Sequence, residues 1–351
     1  MCASIREFRK GVDLRAMNYE YTSAPEPRLG LQISDDICWY CMPLPFALDH
    51  VNCWLLGDPG EQTLIDTGVD NAATRKHWQE IFATSDRWPK EVLVTHFHPD
   101  HVGLAGWFAK HGCAAFTGSE VEIEVASMLW LSQDDTYAEV YRDWYTAHGL
   151  PEPAISTVMR NGNTYRGKVH QFPPSSQWSY LAEGQKTVIA GREYRVMIGR
   201  GHSPDMVLLY RADDHVLIAA DQVLPAISPN ISVMPRLKDQ NPLNSFLNTL
   251  SQLEALPEDT LVLPSHGLPF RGLRPRLAAL REHHKQRLQQ VLDACAAART
   301  AYELFPVLFK RKLDAQQLSF ALGESLSHLH FLEHQGQLQR VESDGIIRFS
   351  S

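Results

Sequence analysis

The chain has 351 residues, 44% hydrophobic and 21% charged, with 21 Gly and 21 Pro, a composition that excludes a coiled coil, a collagen-like repeat and a wholly disordered chain. Its length allows two domains. Thirty-three Lys and Arg against 41 Asp and Glu leave a net charge of −8, which excludes a chain-wide electrostatic grip on nucleic acid, although positions 271–351 carry 12 basic and 8 acidic residues and form a basic tail. The opening MCASIREFRK mixes both charge signs without an apolar core, and no stretch approaches the roughly 18 apolar residues of a membrane span. The expectation is a soluble cytoplasmic protein with no membrane partner.

After an irregular first 30 residues, apolar runs at 37–42, 51–56 and 63–65 read as strands, with Gly57-Asp58-Pro59-Gly60 as a hairpin turn. A CxxC pair, Cys38 and Cys41, falls inside the first of these runs. A redox dithiol belongs at a helix start and a zinc site needs a second ligand pair, so the pair reads as structural. Helical spacing follows over 70–83, then a strand at 91–94 and a helix at 102–110. Residues 119–150 are helical and rich in aromatics, and 151–160 adds a turn or helix; together 119–167 look like an insertion and a candidate lid. Strands resume at 187–190, 194–198, 207–211 and 216–219, followed by a helix at 243–256 and a strand at 261–263. Two β-rich halves with helices outside predict a layered α/β fold for residues 1–270. In the tail, 273–299 reads as one long helix and 315–322 and 325–334 as two shorter ones. Asp344-Gly345 then turns a hairpin between 337–341 and 346–349, a winged-helix pattern for 271–351.

The chemistry concentrates in Thr95-His96-Phe97-His98-Pro99-Asp100-His101, directly after the strand at 91–94. His96 and His98 are two apart and project to one side of an extended segment, while Asp100 and His101 lie where the chain turns into a helix. Imidazole and carboxylate suit zinc and related divalent ions, and further ligands recur where later strands open into loops: His202, Asp221 and His266.

With these motifs the chain resembles the metallo-β-lactamase superfamily, whose HxHxDH motif, then His, Asp and His, occur here in order over about residues 30–270. The resemblance implies a four-layered αβ/βα sandwich and two divalent metal ions, zinc first, with iron or manganese compatible with the same ligands. His96, His98 and His202 would hold one ion, Asp100, His101 and His266 the other, and Asp221 both; Asp66, in Leu64-Ile65-Asp66-Thr67-Gly68, would support the site from behind. The implied reaction is hydrolysis by a hydroxide shared between the ions, with Asp100 as general acid/base and Asp221 holding the pair together.

The long helix and winged-helix-like tail resemble the lactamase-β-like branch. That points to a thioester or ester substrate, such as an acyl-CoA, acyl carrier protein or acyl-glutathione conjugate, with Trp130, Tyr137, Tyr141 and Trp144 as candidate walls of an acyl pocket. A single-strand endoribonuclease is the alternative, in which the basic tail guides nucleic acid. A lactonase and a non-catalytic winged-helix DNA-binding protein complete the set, and a homodimer through the tail is an open expectation. Outside the motifs, His283 and His284 read as a solvated helix face, and His328, His330 and His334 lack the carboxylate or Cys partners of a second metal site.

Overall fold

The structure, a computed structural model, describes residues 17–45, 48–83, 88–132, 134–160 and 162–351; the opening ten residues read above lie outside that set. The first sheet takes its strands from the front of the chain: β1 (Asn18–Tyr19) leaves for the other sheet, and β2 (Leu31–Ser34), β3 (Ile37–Pro43), β4 (His50–Leu56) and β5 (Thr63–Ile65) form an antiparallel meander. Helix α1 (Ala72–Ala83) crosses to β6 (Glu91–Leu93), which runs parallel to β5. Two short helices, α2 (Pro99–Val102) and α3 (Ala105–Lys110), precede β7 (Ala115–Gly118). Then come α4 (Glu120–Leu131), α5 (Asp134–Ala147), α6 (Glu152–Met159) and β8 (Trp178–Tyr180), which closes the sheet in the order β2-β3-β4-β5-β6-β7-β8.

The second sheet uses β9 (Lys186–Ile189), β10 (Arg192–Gly199), β11 (Met206–Arg211) and β12 (Val216–Ala220), then α7 (Pro242–Leu253), β13 (Leu261–Pro264) and β14 (Phe270–Arg271). Its order is β1-β14-β13-β12-β11-β10-β9. The tail contributes α8 (Leu273–Ala294), α9 (Phe305–Leu308), α10 (Ala315–His334) and the hairpin of β15 (Gln339–Ser343) and β16 (Ile346–Ser350).

Period-two alternation decides the layering. On β4, Trp54 and Leu56 turn toward the second sheet, where they meet Val196, Ile198, Val207 and Leu263, while Val51, Cys53 and Leu55 turn outward under Trp78, Phe82 and Phe108 of α1 and α3. The outer face of the second sheet is covered by Leu243, Phe246 and Leu250 of α7 and Leu273, Leu277 and Leu280 of α8. The result is a four-layered helix–sheet–sheet–helix sandwich. Among the described residues no helix is long and apolar enough to cross a membrane.

Several elements differ from the sequence expectation, each for a local reason. The irregular first 30 residues contain β1, a two-residue strand paired with β14, and β2 follows directly after them and pairs with β3. The helix at 102–110 is two pieces, because the Leu104 N–H is taken by Thr67 Oγ1 at 2.9 Å instead of continuing the helical ladder, and Gly103 O accepts from His170 N at 2.7 Å. The two helices at 315–334 are one, started by an Asp314–Gln317 capping box and continuous through Gly323. His284 is buried, against Phe246 and His328, and not on a solvated face. Cys41 is buried in β3, and burial pushes its thiol up to about 12, as expected of a structural CxxC.

The aromatic stretch is divided. Helix α4 packs on the first sheet through Ile123, Ala126 and Leu129, whereas Tyr141, Tyr145 and Ile155 join Val291, Leu304, Leu322, Leu329 and Phe349 in a third core shared with the tail.

One buried amide ties the two sheets together at the edge where the histidines collect. The Asn52 backbone N–H donates to Ser265 O at 2.7 Å, its Nδ2 donates to Pro264 O and Gly267 O at 2.8 Å each, and its Oδ1 accepts from Trp39 Nε1 at 2.8 Å. Asn52→Ala leaves three buried polar partners without a mate, so a loss of about 3 kcal/mol is expected in urea unfolding of the full chain. A loss below about 1 kcal/mol would show that the amide does not hold the sheets.

Candidate metal centre

The site is assembled where strands of both sheets end. The chain leaves β5 at Asp66, whose φ of 60° lies in the left-handed region that Asp tolerates better than most residues. This turns its carboxylate onto the loop after β6: Oδ1 accepts from Thr95 N and Oδ2 from Thr95 Oγ1, both at 2.8 Å, and Oδ2 meets His101 Nδ1 at 2.7 Å. Thr95 Oγ1 lies 3.0 Å from His96 Nδ1. With their Nδ1 atoms engaged, His96 and His101 present Nε2 to the interior.

The later ligands are oriented by backbone carbonyls. His202 Nδ1 donates to Asn230 O at 2.8 Å and His266 Nδ1 to His50 O at 2.7 Å, so these rings too turn Nε2 inward. Gly201, at φ 104°, lets the chain pass against α7, where a Cβ would stand 2.5 Å from Phe246 Cβ. Asp221 follows Ala220, whose φ of 44° is costly for a residue with a Cβ and sits at a register shift between β12 and β13.

The inward atoms form two groups. His98 Nδ1 lies 3.0 Å from both His96 Nε2 and His202 Nε2, and Asp221 Oδ2 lies 3.3 Å from His202 Nε2. On the other side, Asp100 Oδ2 is 3.7 Å from His101 Nε2 and 3.5 Å from His266 Nε2, and Asp221 Oδ1 is 3.8 and 3.3 Å from the same nitrogens. Asp221 thus turns one oxygen to each group. An ion with bonds of about 2.0–2.1 Å to four tetrahedral ligands separates those ligands by roughly 3.3 Å, in the range seen here. His101 Nε2 and Asp221 Oδ1 are buried without a hydrogen-bond partner. The donor set and these two orphans fit divalent ions.

Without a cation the charges must balance by protons. Burial pushes the His96 and His98 imidazoles well below their ordinary value, and the neighbouring histidines push the same way. Burial also lowers His101, but Asp66, Asp100 and Asp221 outweigh it and raise the ring to about 10. Burial also lowers His266, but Asp221 and Asp100 together outweigh it and raise the ring. Burial alone would raise Asp221; His266 and His101 hold it well below the carboxylate range.

Sequence reasoning missed Glu122. Its Oε1 accepts from Asp205 N at 2.7 Å and its Oε2 from Phe97 N at 2.9 Å, so one carboxylate on α4 joins the loop bearing His96 and His98 to the loop bearing His202. Burial raises it to about 7 against the opposing pull of those N–H groups. Ser119-Glu120-Val121-Glu122 has the form of a capping box, which hides the second use: Ser119 does accept from Glu122 N, but the Glu122 side chain goes to the two loops.

The cluster opens into a cavity of about 520 Å³ whose wall includes His98, Asp100, His202, Asp221 and His266. Tyr137, Tyr141 and Trp144 line it, and so do Tyr145, Tyr165 and Phe320. Trp130 does not reach it: its Nε1 donates to Val169 O at 3.1 Å and Arg166 covers its ring.

The family model described as "Metallo-beta-lactamase superfamily" matches residues 47–266, and "Metallo-beta-lactamase-like, C-terminal domain" matches 288–351. The crystal structure of a beta-lactamase domain protein from Burkholderia ambifaria is 38% identical with a TM-score of 0.87, over 96% of this chain and 98% of that one. The "Probable metallo-hydrolase YqjP" of Bacillus subtilis is 25% identical, over 86% of this chain and 93% of its own. A linear primary-alkylsulfatase of a Pseudomonas species is 25% identical over 66% of this chain and 43% of its own. An atrochrysone carboxyl ACP thioesterase of Aspergillus fumigatus is 20% identical over 85% of this chain and 55% of its own. This chain spans less than two thirds of either of the last two proteins.

Asp66, Asp100 and Asp221 raise His101 to about 10, so this ring must give up a proton to ligate a cation at neutral pH, and affinity must fall as the pH falls. Calorimetric titration with zinc at pH 7.5 in two buffers of different ionisation enthalpy is expected to give about one proton released per chain; a buffer-independent heat would refute this charge balance. Glu122→Leu orphans two buried N–H groups and is expected to cost about 3 kcal/mol in urea unfolding, with Glu122→Gln about half as damaging because it keeps one acceptor.

Proposed function

The chain belongs to the metallo-β-lactamase superfamily, and from that premise we propose a dinuclear metal-dependent hydrolase that cleaves thioesters or esters of apolar acyl groups. The observation that carries the reading is the cavity: the His/Asp cluster forms part of its wall and aromatic side chains from the 137–145 segment another. His96, His98 and His202 would hold one ion and Asp100, His101 and His266 the other, with Asp221 serving both; zinc is the first choice. Such ions when bound supply Lewis acidity, which acidifies water and polarises a substrate oxygen.

The chain's own residues do the rest. Asp221 keeps the two groups in register. Asp100, whose side chain is 14% exposed and lines the cavity, is placed to take a proton and return it to the departing thiol or alcohol. Asp66 fixes the His101 ring through Nδ1. Tyr137, Tyr141 and Trp144 exclude water from the acyl group and bury its apolar surface.

The thioesterase name of the Aspergillus relative supports this substrate class. The alternative phosphodiester reading has less support in the cavity wall, where Lys168 is the one Lys or Arg among the described lining residues. The residues 271–351 are proposed as a second unit that completes the cavity.

The test is a panel of acyl-CoA thioesters of rising chain length, with a labelled single-stranded RNA and a primary alkyl sulfate as counter-substrates and a metal-quantified Asp221→Ala variant in parallel. Thioester cleavage by the loaded wild type, lost with metal in the variant, is the expected result. Tyr137→Ala is expected to raise KM for long acyl chains about tenfold while leaving short ones nearly unchanged, the equivalent of about 1.4 kcal/mol of lost apolar contact. RNA or sulfate-ester cleavage with intact thioesters would overturn the acyl assignment.

A further inference from the structure

We propose that Glu324, on the tail helix α10, is a positioning residue for His202, so that the tail holds one ligand of the metal centre in place. The inference rests on reading the His/Asp cluster as that centre.

His202 is oriented by a single carbonyl, Asn230 O, which accepts its Nδ1–H at 2.8 Å. That carbonyl lies in a long segment, residues 222–241, that contains neither helix nor strand and so cannot fix itself through a backbone ladder. The two tail helices fix it instead. From α8, Arg276 Nε donates to Leu224 O at 2.5 Å and Nη2 to Ile227 O at 2.7 Å, holding the first half of the segment.

The second half is held by α10. Asn230 Nδ2 donates to Glu324 Oε2 at 3.2 Å, while Ser232 Oγ lies within donating distance of Asn230 Oδ1 at 2.5 Å and Phe320 O at 3.4 Å. The Val233 N–H donates to Gly323 O at 3.1 Å. Gly323 lets the segment and helix approach: a Cβ there would stand 2.7 Å from Ser232 Cβ and 2.8 Å from Val233 O. Of these contacts, the Glu324 carboxylate is the one side-chain group of α10 that grips Asn230 itself. Burial raises the Glu324 carboxyl, and a polar group in a mostly apolar cavity wall is costly unless hydrogen-bonded; Asn230 Nδ2 supplies that bond.

Groups one bond removed from a metal ligand typically change metal affinity by 10–100-fold. Glu324 acts through one further residue, so about tenfold is expected, and on one ion only, since Asp100, His101 and His266 do not use Asn230. The full-length protein is stripped, titrated with Co(II), and followed by its visible absorption against a competing chelator, with thermal melting as the check on folding. Expected are two bound ions in wild type, one of them weakened about tenfold in Glu324→Leu with the other unchanged, rescue in Glu324→Gln, whose amide oxygen still accepts from Asn230, and the same selective weakening in Gly323→Ala. Wild-type affinity for both ions in Glu324→Leu and Gly323→Ala, or equal weakening of both, would overturn the inference and leave the metal centre standing. A Gln variant as weak as Leu would overturn the hydrogen-bond basis of the inference. A wild type that takes up no divalent ion would overturn the metal-centre reading and this inference with it.

Discussion

Nitrogen lone pairs do not sit 3.0 Å apart inside a protein unless something positive lies between them, and here His98 Nδ1 keeps that distance from two other imidazole nitrogens at once. Everything around the cluster serves to enforce this unfavourable approach. Asp66 holds Thr95 and His101, Asn230 O holds His202, and His50 O holds His266, so the His101, His202 and His266 rings are prevented from rotating their Nε2 atoms away. The positive φ of Ala220 is part of the same cost: the backbone is strained where it must turn Asp221 between the two groups. A divalent cation between these atoms would convert the repulsion into binding energy.

The sandwich is what makes such enforcement affordable. Ligands arrive from both sheets, so their spacing depends on how the sheets are docked more than on any one loop. Asn52 stitches β4 to the chain segment that carries His266, and Glu122 stitches the β6 loop to the loop after β10. Both are buried polar residues among apolar neighbours, and both are retained with every partner satisfied, the condition under which buried polar groups add rigidity.

The ligand set was legible because it is written in short-range spacing: His96, His98, Asp100 and His101 within one loop, and single His or Asp residues where strands end. The strands of the two sheets were legible as short apolar runs bounded by turn residues, as in β3, β4, β10 and β11. What was not legible depends on contacts between distant segments. Glu122 looks like a helix cap, Gly323 looks like a break between two helices, and His284 looks like a solvated charge, because each is defined by a partner far away in sequence: Asp205, Ser232 and Phe246. Trp130 and Tyr141 share a helical aromatic run, and nothing in their spacing says that one packs beneath Arg166 and the other faces the cavity.

The third core joins residues 141–155 to residues 291–349, and α10 supplies Ser319, Phe320 and Glu324 to the cavity wall. Since a chain is made from its N-terminus and domains fold as they emerge, all the metal-facing residues are available by His266, well before that wall exists. The side chains of the His/Asp cluster are therefore made before the wall that encloses them, and a chain cut short within α8 would carry every His and Asp of the cluster beside a cavity left open on the α10 side.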